Sequence, residues 1–135
     1  MKKIAIVTLS DFNNYGNRLQ NYALERIITS QGYDVVSLVD FRPNLLKTSV
    51  KTIIKKDGIK FTDRMKKIRR LKNFLDFDKK YVNTFPVNAG EFSSVSDDEY
   101  HCFIVGSDQV WNPDWAKYTY DRMFLRFCSP TKRIS

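Results

Sequence analysis

The run Gly106-Ser107-Asp108-Gln109-Val110-Trp111-Asn112 places a hydroxyl, a carboxylate, two amides and an indole within seven residues. Asp108 can take the proton from a hydroxyl nucleophile or accept a hydrogen bond from a sugar. Gln109 and Asn112 each offer a donor and an acceptor. Trp111 can stack on a sugar face or anchor a core. Gly106 lets the backbone pass close to a ligand. The plainer reading of Ser107 and Asp108 is that they cap a following turn.

A second cluster lies far upstream, in Asn14-Tyr15-Gly16-Asn17-Arg18 and then Gln20-Asn21. Gly16 permits a tight turn, and Asn17 is a candidate helix cap. The free amides of a helix start hold anions, and Arg18 would add a forked cation there. The candidate binding residues are therefore Asn14, Tyr15, Gly16, Asn17, Arg18, Gln20 and Asn21, with Gly106, Ser107, Asp108, Gln109, Trp111 and Asn112. Asp108 is the candidate base. Neither cluster carries the three glycines of a dinucleotide fingerprint or the Gly-Lys-Ser/Thr of a phosphate loop. The one histidine, His101, has no serine or cysteine arranged around it. Cys102 and Cys128 lack metal-ligand spacing and fit a reducing compartment. No cofactor and no metal are expected.

The elements that would position these clusters alternate between strand and helix. Lys3–Leu9, "KIAIVTL", is apolar on both faces and β-branched, as in a strand buried within a parallel sheet. A helix is expected from about Arg18 to Gln31, with Leu19, Tyr22, Ala23 and Ile27 on its inner face and Gly32 as its stop. Asp34–Val39 reads as the second strand, completing a βαβ unit. Val50–Ile54 suits a short helix or strand. Thr62–Phe77 reads as an amphipathic helix with Met65, Ile68, Leu71 and Leu75 in its stripe and Asp63 in its first turn. Residues 84–100 read as a connector with one helical turn near Ser96–Tyr100. Cys102–Val105 reads as a third strand, Arg122–Phe127 as a short strand, and "TKRIS" as the start of another. Both polar clusters then follow strands, where open α/β sheets bind ligands.

The formal net charge of +8 is concentrated. Between Lys47 and Lys80 thirteen Lys or Arg face four Asp, a net of +9, so the rest of the chain carries −1. A solvated helical face explains this plainly, and an anionic partner explains it more sharply. The composition excludes a disordered chain, and no apolar run reaches the ~20 residues of a membrane helix. The short N-terminal apolar run is no secretion signal, which places the protein in the cytoplasm.

Three stretches, "NYGNRLQNYAL" (Asn14–Leu24), "FIVGSDQVWNP" (Phe103–Pro113) and "FLRFCSPTKRIS" (Phe124–Ser135), resemble the polysaccharide pyruvyl transferase family in order and spacing. The resemblance implies transfer of a pyruvyl group, as a ketal, from phosphoenolpyruvate to sugar hydroxyls of a cell-surface polysaccharide or its precursor. It implies an α/β fold with a Rossmann-like parallel sheet flanked by helices, the N-terminal half of a glycosyltransferase-B-like two-domain architecture. Members run to roughly 300 residues, two α/β domains at the usual size. The chain is thus expected to be the N-terminal domain, 1–135, truncated and not active alone, with 47–80 a basic helical insertion. Donor-site residues are expected beyond Ser135, leaving the two polar loops to line the acceptor side. Surface bared by the truncation would pair with a second copy.

Two other classes compete. One is a basic α/β module binding nucleic acid or anionic membrane. Nucleic acid is disfavoured because aromatics are sparse in the basic stretch and no known recognition signature occurs. Residues 62–80 would instead hold the protein against the inner face of a membrane. The other is a nucleotide-sugar glycosyltransferase fragment of the same architecture.

Overall fold

A computed structural model of the chain describes residues 1–8, 14–40, 45–56, 58, 60–88, 91–106, 110, 112 and 120–135. Five parallel strands form one sheet in the order β3-β2-β1-β4-β5. They are β1 (Lys3–Val7), β2 (Asp34–Asp40), β3 (Thr84–Val87), β4 (Cys102–Val105) and β5 (Arg133–Ile134). Helix α1 (Tyr15–Ser30) links β1 to β2. Helices α2 (Leu45–Lys55) and α3 (Phe61–Tyr81) lie between β2 and β3, and a four-residue helix α4 (Tyr120–Met123) precedes β5. This is a Rossmann-like α/β fold.

The register fixes what each face of the sheet carries. Ala5 lies opposite Val36 and Phe103, and Val7 opposite Leu38 and Val105. These residues form the apolar core, closed by Phe92, Tyr100, Val110, Met123, Leu125 and Cys128 from short turns and the C-terminal segment. Alternation along the strands sends Ile4, Ile6, Val35, Ser37 and Cys102 to the other face. There α1 covers the sheet, and its buried residues are Asn17, Arg18, Asn21 and Glu25.

The expected inner face of α1 is therefore corrected. Leu19, Ala23 and Ile27 recur at helical spacing, yet all three are exposed. A polar network under the helix replaces the apolar contact, because Ser37 sits fully buried in the middle of β2 and takes hydrogen-bonding partners from above. Helix α1 also starts three residues earlier than expected. Gly32 stops it as predicted, at a φ of +85° that glycine adopts without strain.

Other boundaries shift for identifiable reasons. The 84–100 connector contains β3, an edge strand whose Pro86 is tolerated because an edge has one unpaired side. Cys102–Val105 is accordingly the fourth strand. The expected turn near Ser96–Tyr100 is present as Asp97–Glu99 in a 3-10 helix. Arg122–Phe127 is no strand: its first residues end α4 and the rest are turns, with Leu125 at a φ of +52°. "TKRIS" does contain β5. Val50–Ile54 lies within α2, and the basic amphipathic helix extends over Phe61–Tyr81. In the latter, Leu71 and Phe74 are the buried residues, while Met65 is exposed.

The C-terminal segment is tied back by one carboxylate. Asp97 accepts the backbone N–H of Ser129 at 2.9 Å and also its hydroxyl. Lys132 lies 3.2 Å from Asp97 Oδ1 and donates to the Asp97 carbonyl at 2.6 Å. No helix among the described residues is long and apolar enough to cross a membrane.

Candidate functional site at the β1–β4 edge

Strand order reverses between β1 and β4, since the chain builds outward from β1 in one direction through β2 and β3 and in the other through β4 and β5. Ligand crevices in open α/β sheets form beyond the carboxyl ends of strands at this point. Gly106, where the second polar cluster begins, follows β4 here, and α1, which carries the first, is the next helix after β1. Val7 and Val105 are paired neighbours, and the N–H of Gly106 lies 3.4 Å from the Val7 carbonyl. Thr8 follows β1; it is 3% exposed, and its hydroxyl has no hydrogen-bond partner among the described residues.

The start of α1 forms one wall. Asn14 rather than Asn17 caps the helix, its side-chain oxygen accepting the Asn17 N–H at 3.3 Å. A Cβ on Gly16 would come within 3.0 Å of that oxygen, so a glycine keeps the cap open. Tyr15 stacks on Phe74 of α3 with ring centroids 4.3 Å apart, and the Arg70 guanidinium lies 5.2 Å above the Tyr15 ring. Gly106 forms the other wall, where a Cβ would meet the Leu24 Cδ2 of α1 at 3.3 Å. A glycine here lets the strand end and the helix approach closely.

The candidate residues divide by exposure. Asn14, Tyr15, Gly16 and Gln20 are exposed at the helix start. Gly106 and Asn112 are half-buried. Ser107, Asp108, Gln109 and Trp111 lie outside the described residues. Asn17, Arg18 and Asn21 are buried beneath α1. Arg18, expected to meet an anion, points its guanidinium at Asp78 of α3 at 3.1 Å and is 2% exposed. Burial pushes the Asp78 carboxyl upward, and Arg18 opposes that shift.

Glu25 is the buried carboxylate of the seam, and sequence reasoning missed it. Its two oxygens take the backbone N–H of Asn83, just before β3, at 3.0 and 3.2 Å. The Asn83 amide in turn donates to the Val35 carbonyl at 2.7 Å. Burial raises the Glu25 carboxyl above the usual range, with the bonds from Asn83 and Ser37 pulling the other way. The Ser37 hydroxyl sits 3.2 Å from Asn21 Oδ1 and 3.4 Å from Glu25 Oε2. It carries one proton and faces two acceptors, while the Asn21 NH2 has no partner among the described residues. Turning the Asn21 amide over would close the chain, with Asn21 donating to Ser37 and Ser37 to Glu25. The available signal was the serine itself, in the middle of an apolar strand.

His101 precedes β4 at the amino edge of the sheet, away from the crevice, and stacks on Tyr33 at 6.3 Å. Cys102 and Cys128 are free and buried, and burial raises both thiols. Among the described residues no group of three His, Cys, Asp or Glu side chains is placed to hold a metal. The site thus consists of an anchored helix N-terminus and a glycine-ended strand on either side of the switch point. That geometry suits a ligand rich in hydrogen-bonding groups.

Residues 14–134 match the family model described as polysaccharide pyruvyl transferase. No curated protein and no solved structure matches the chain.

Proposed function

Because the chain belongs to the polysaccharide pyruvyl transferase family, we propose that it serves pyruvyl transfer from phosphoenolpyruvate to a sugar of a cell-surface polysaccharide or its precursor. In this reading the domain supplies the acceptor wall of a glycosyltransferase-B-like cleft, and groups on a second α/β domain hold the donor. Ketal formation joins two sugar hydroxyl oxygens to C2 of the enol, while C3 takes a proton and phosphate leaves. The reaction needs a base for the hydroxyl, an acid for C3 and cations for the phosphate and carboxylate. Asp108 is our candidate base. The exposed Asn14, Tyr15, Gly16 and Gln20, with Gly106, Ser107, Gln109, Trp111 and Asn112, are our candidate acceptor contacts. Arg18, Asn17 and Asn21 act from beneath, holding α1 at the angle that presents its first turn.

One observation carries the reading. The two segments richest in sugar-binding chemistry, about 90 residues apart in sequence, follow β1 and β4, which are adjacent at the switch point. An acceptor wall predicts amide shifts when the isotope-labelled chain is titrated with simple glycosides. They would cluster at 14–21 and 106–112. Shifts produced only by nucleotide sugars would replace this reading with a glycosyltransferase, and shifts confined to other surfaces would sink it. For the enzyme containing this domain, phosphate release from phosphoenolpyruvate in the presence of a glycoside is expected to fall at least about a hundredfold with Asp108→Asn, the usual range for a general base.

A further inference from the structure

The turn between α2 and α3 lies apart from the crevice and carries a different chemistry. From Lys51 to Lys67 seven Lys or Arg face two Asp, a net of +5. Lys60, Lys66 and Lys67 line one open hollow with Gly58 and Asp63. Lys66 reaches Asp63 at 3.5 Å, but both side chains are largely in water, and such pairs hold weakly. Amid these charges stand large apolar side chains. Phe61 is 75% exposed, Met65 49% and Ile54 53%. Phe61 and Met65 are one helical turn apart on the same face of α3. The start of α3 is tied back towards the end of α2, since Arg64 donates to the Lys56 carbonyl at 2.9 Å. The last arginine of the basic helix is committed elsewhere: Arg70 lies over Tyr15 and Phe74.

We propose that the start of α3 docks this protein on an anionic lipid surface, with Lys60, Lys66 and Lys67 at the headgroups and Phe61 and Met65 entering the interface. Charge complementarity selects this occupant. A second copy would present the same positive patch and be repelled. A nucleic-acid backbone would pair with the lysines but leave an exposed phenylalanine and methionine without a role. A bilayer interface takes both, as basic residues flanking shallow apolar ones do on peripheral proteins. The docking stands or falls apart from the pyruvyl-transfer reading, since it uses none of the crevice residues.

Sedimentation of the chain with phosphatidylglycerol-containing vesicles, against pure phosphatidylcholine, tests this. Each neutralised lysine near the surface is worth about fivefold in binding. The triple variant Lys60→Glu/Lys66→Glu/Lys67→Glu should therefore lose more than about a hundredfold, and Lys2→Glu, elsewhere on the surface, far less. Phe61→Ser/Met65→Ser should lose about tenfold or more with the charge unchanged. All five positions are exposed, and unchanged thermal unfolding by circular dichroism would confirm that the variants fold. The proposal is overturned by absence of binding to the anionic vesicles, by an equal loss with Lys2→Glu, or by binding indifferent to the apolar pair. Retention on a duplex RNA probe with vesicles ignored overturns it too.

Discussion

Replacing Glu25 by glutamine separates charge from hydrogen bonding in the seam beneath α1. The wild-type carboxylate accepts the Asn83 N–H and the Ser37 hydroxyl from a nearly dry site. Burial raises its pKa, so the ionised form is less welcome in the folded state than in the unfolded one. The sign follows from linkage. Below the ordinary carboxylate range both states are protonated and this term vanishes. As pH rises through that range and up to the raised value, the unfolded chain ionises first, and the fold loses stability. Glutamine keeps an acceptor for Asn83 and can donate to Ser37, which then donates to Asn21 Oδ1. Glu25→Gln should therefore hold its stability as pH rises above about 4, where the wild type declines from this group. Glu25→Ala should behave quite differently. It leaves the Asn83 N–H without its acceptor, at a cost of about 1–3 kcal/mol, while the Ser37 hydroxyl keeps Asn21 Oδ1. A loss of about 2 kcal/mol lowers the Tm of a domain of this size by roughly 7 °C. Urea titrations followed by circular dichroism at several pH values would read both effects. If Glu25→Gln proves as damaging as Glu25→Ala, the charge itself holds Asn83 and the reasoning is wrong.

The Arg18–Asp78 pair should follow the rule for buried ions: Arg18→Met leaves Asp78 stranded and costs about 3–5 kcal/mol in urea titrations, while Arg18→Met/Asp78→Leu recovers most of it. Gly16→Ala brings a methyl against the Asn14 cap oxygen and Asn14→Ala removes that oxygen, so each should destabilise by about 1 kcal/mol and the two together by less than their sum, measured as a double-mutant cycle. Asp97 is held below the usual carboxylate range by Ser129, so its contribution is present above that range and lost as pH falls through the lowered value; Asp97→Asn should abolish that acid dependence and speed amide exchange at Arg133 and Ile134. Gly106→Ala should weaken the fold modestly through contact with Leu24, and Leu24→Ala should relieve it, as thermal melts of the three variants would show.

The central strands were legible because nothing competes with their pattern. "KIAIV", "DVVSLV" and "CFIV" are β-branched, apolar on both faces and bounded by polar loops, and all three lie inside the sheet. Strand β3 was not legible, because Thr84, Phe85 and Pro86 are exposed at an edge and proline argues against a strand. The inner face of α1 misled for a physical reason. Periodicity assumes that apolar side chains seek the sheet, yet Arg18, Asn21 and Glu25 seek Ser37, Asn83 and Asp78, partners that only the fold brings near. The cap was misplaced by three residues because Asn14 and Asn17 are equally good candidates until one of them is known to lie outside the helix. That α1 follows β1 and Gly106 follows β4 on either side of the switch point could be anticipated from strand ends alone. The fate of Arg18 could not, since its partner Asp78 lies 60 residues away in another helix.

The pairing of β1 also sets an order of assembly. Ile4 lies opposite Val35 on one side and Cys102 on the other, so its first partner arrives early in the chain and its second very late. A chain emerging from the ribosome can join β1, α1 and β2, and then add α3 and β3, while β4 is still unmade. The longer closure meets the larger entropic cost and forms slower contacts. Until Val105 reaches Val7, the crevice has one wall and the apolar core beneath it has no lid. The most exposed moment of this protein's life is therefore the interval before its candidate site exists, and variants along the β1–β4 seam should reveal themselves first as poor yield of folded chain.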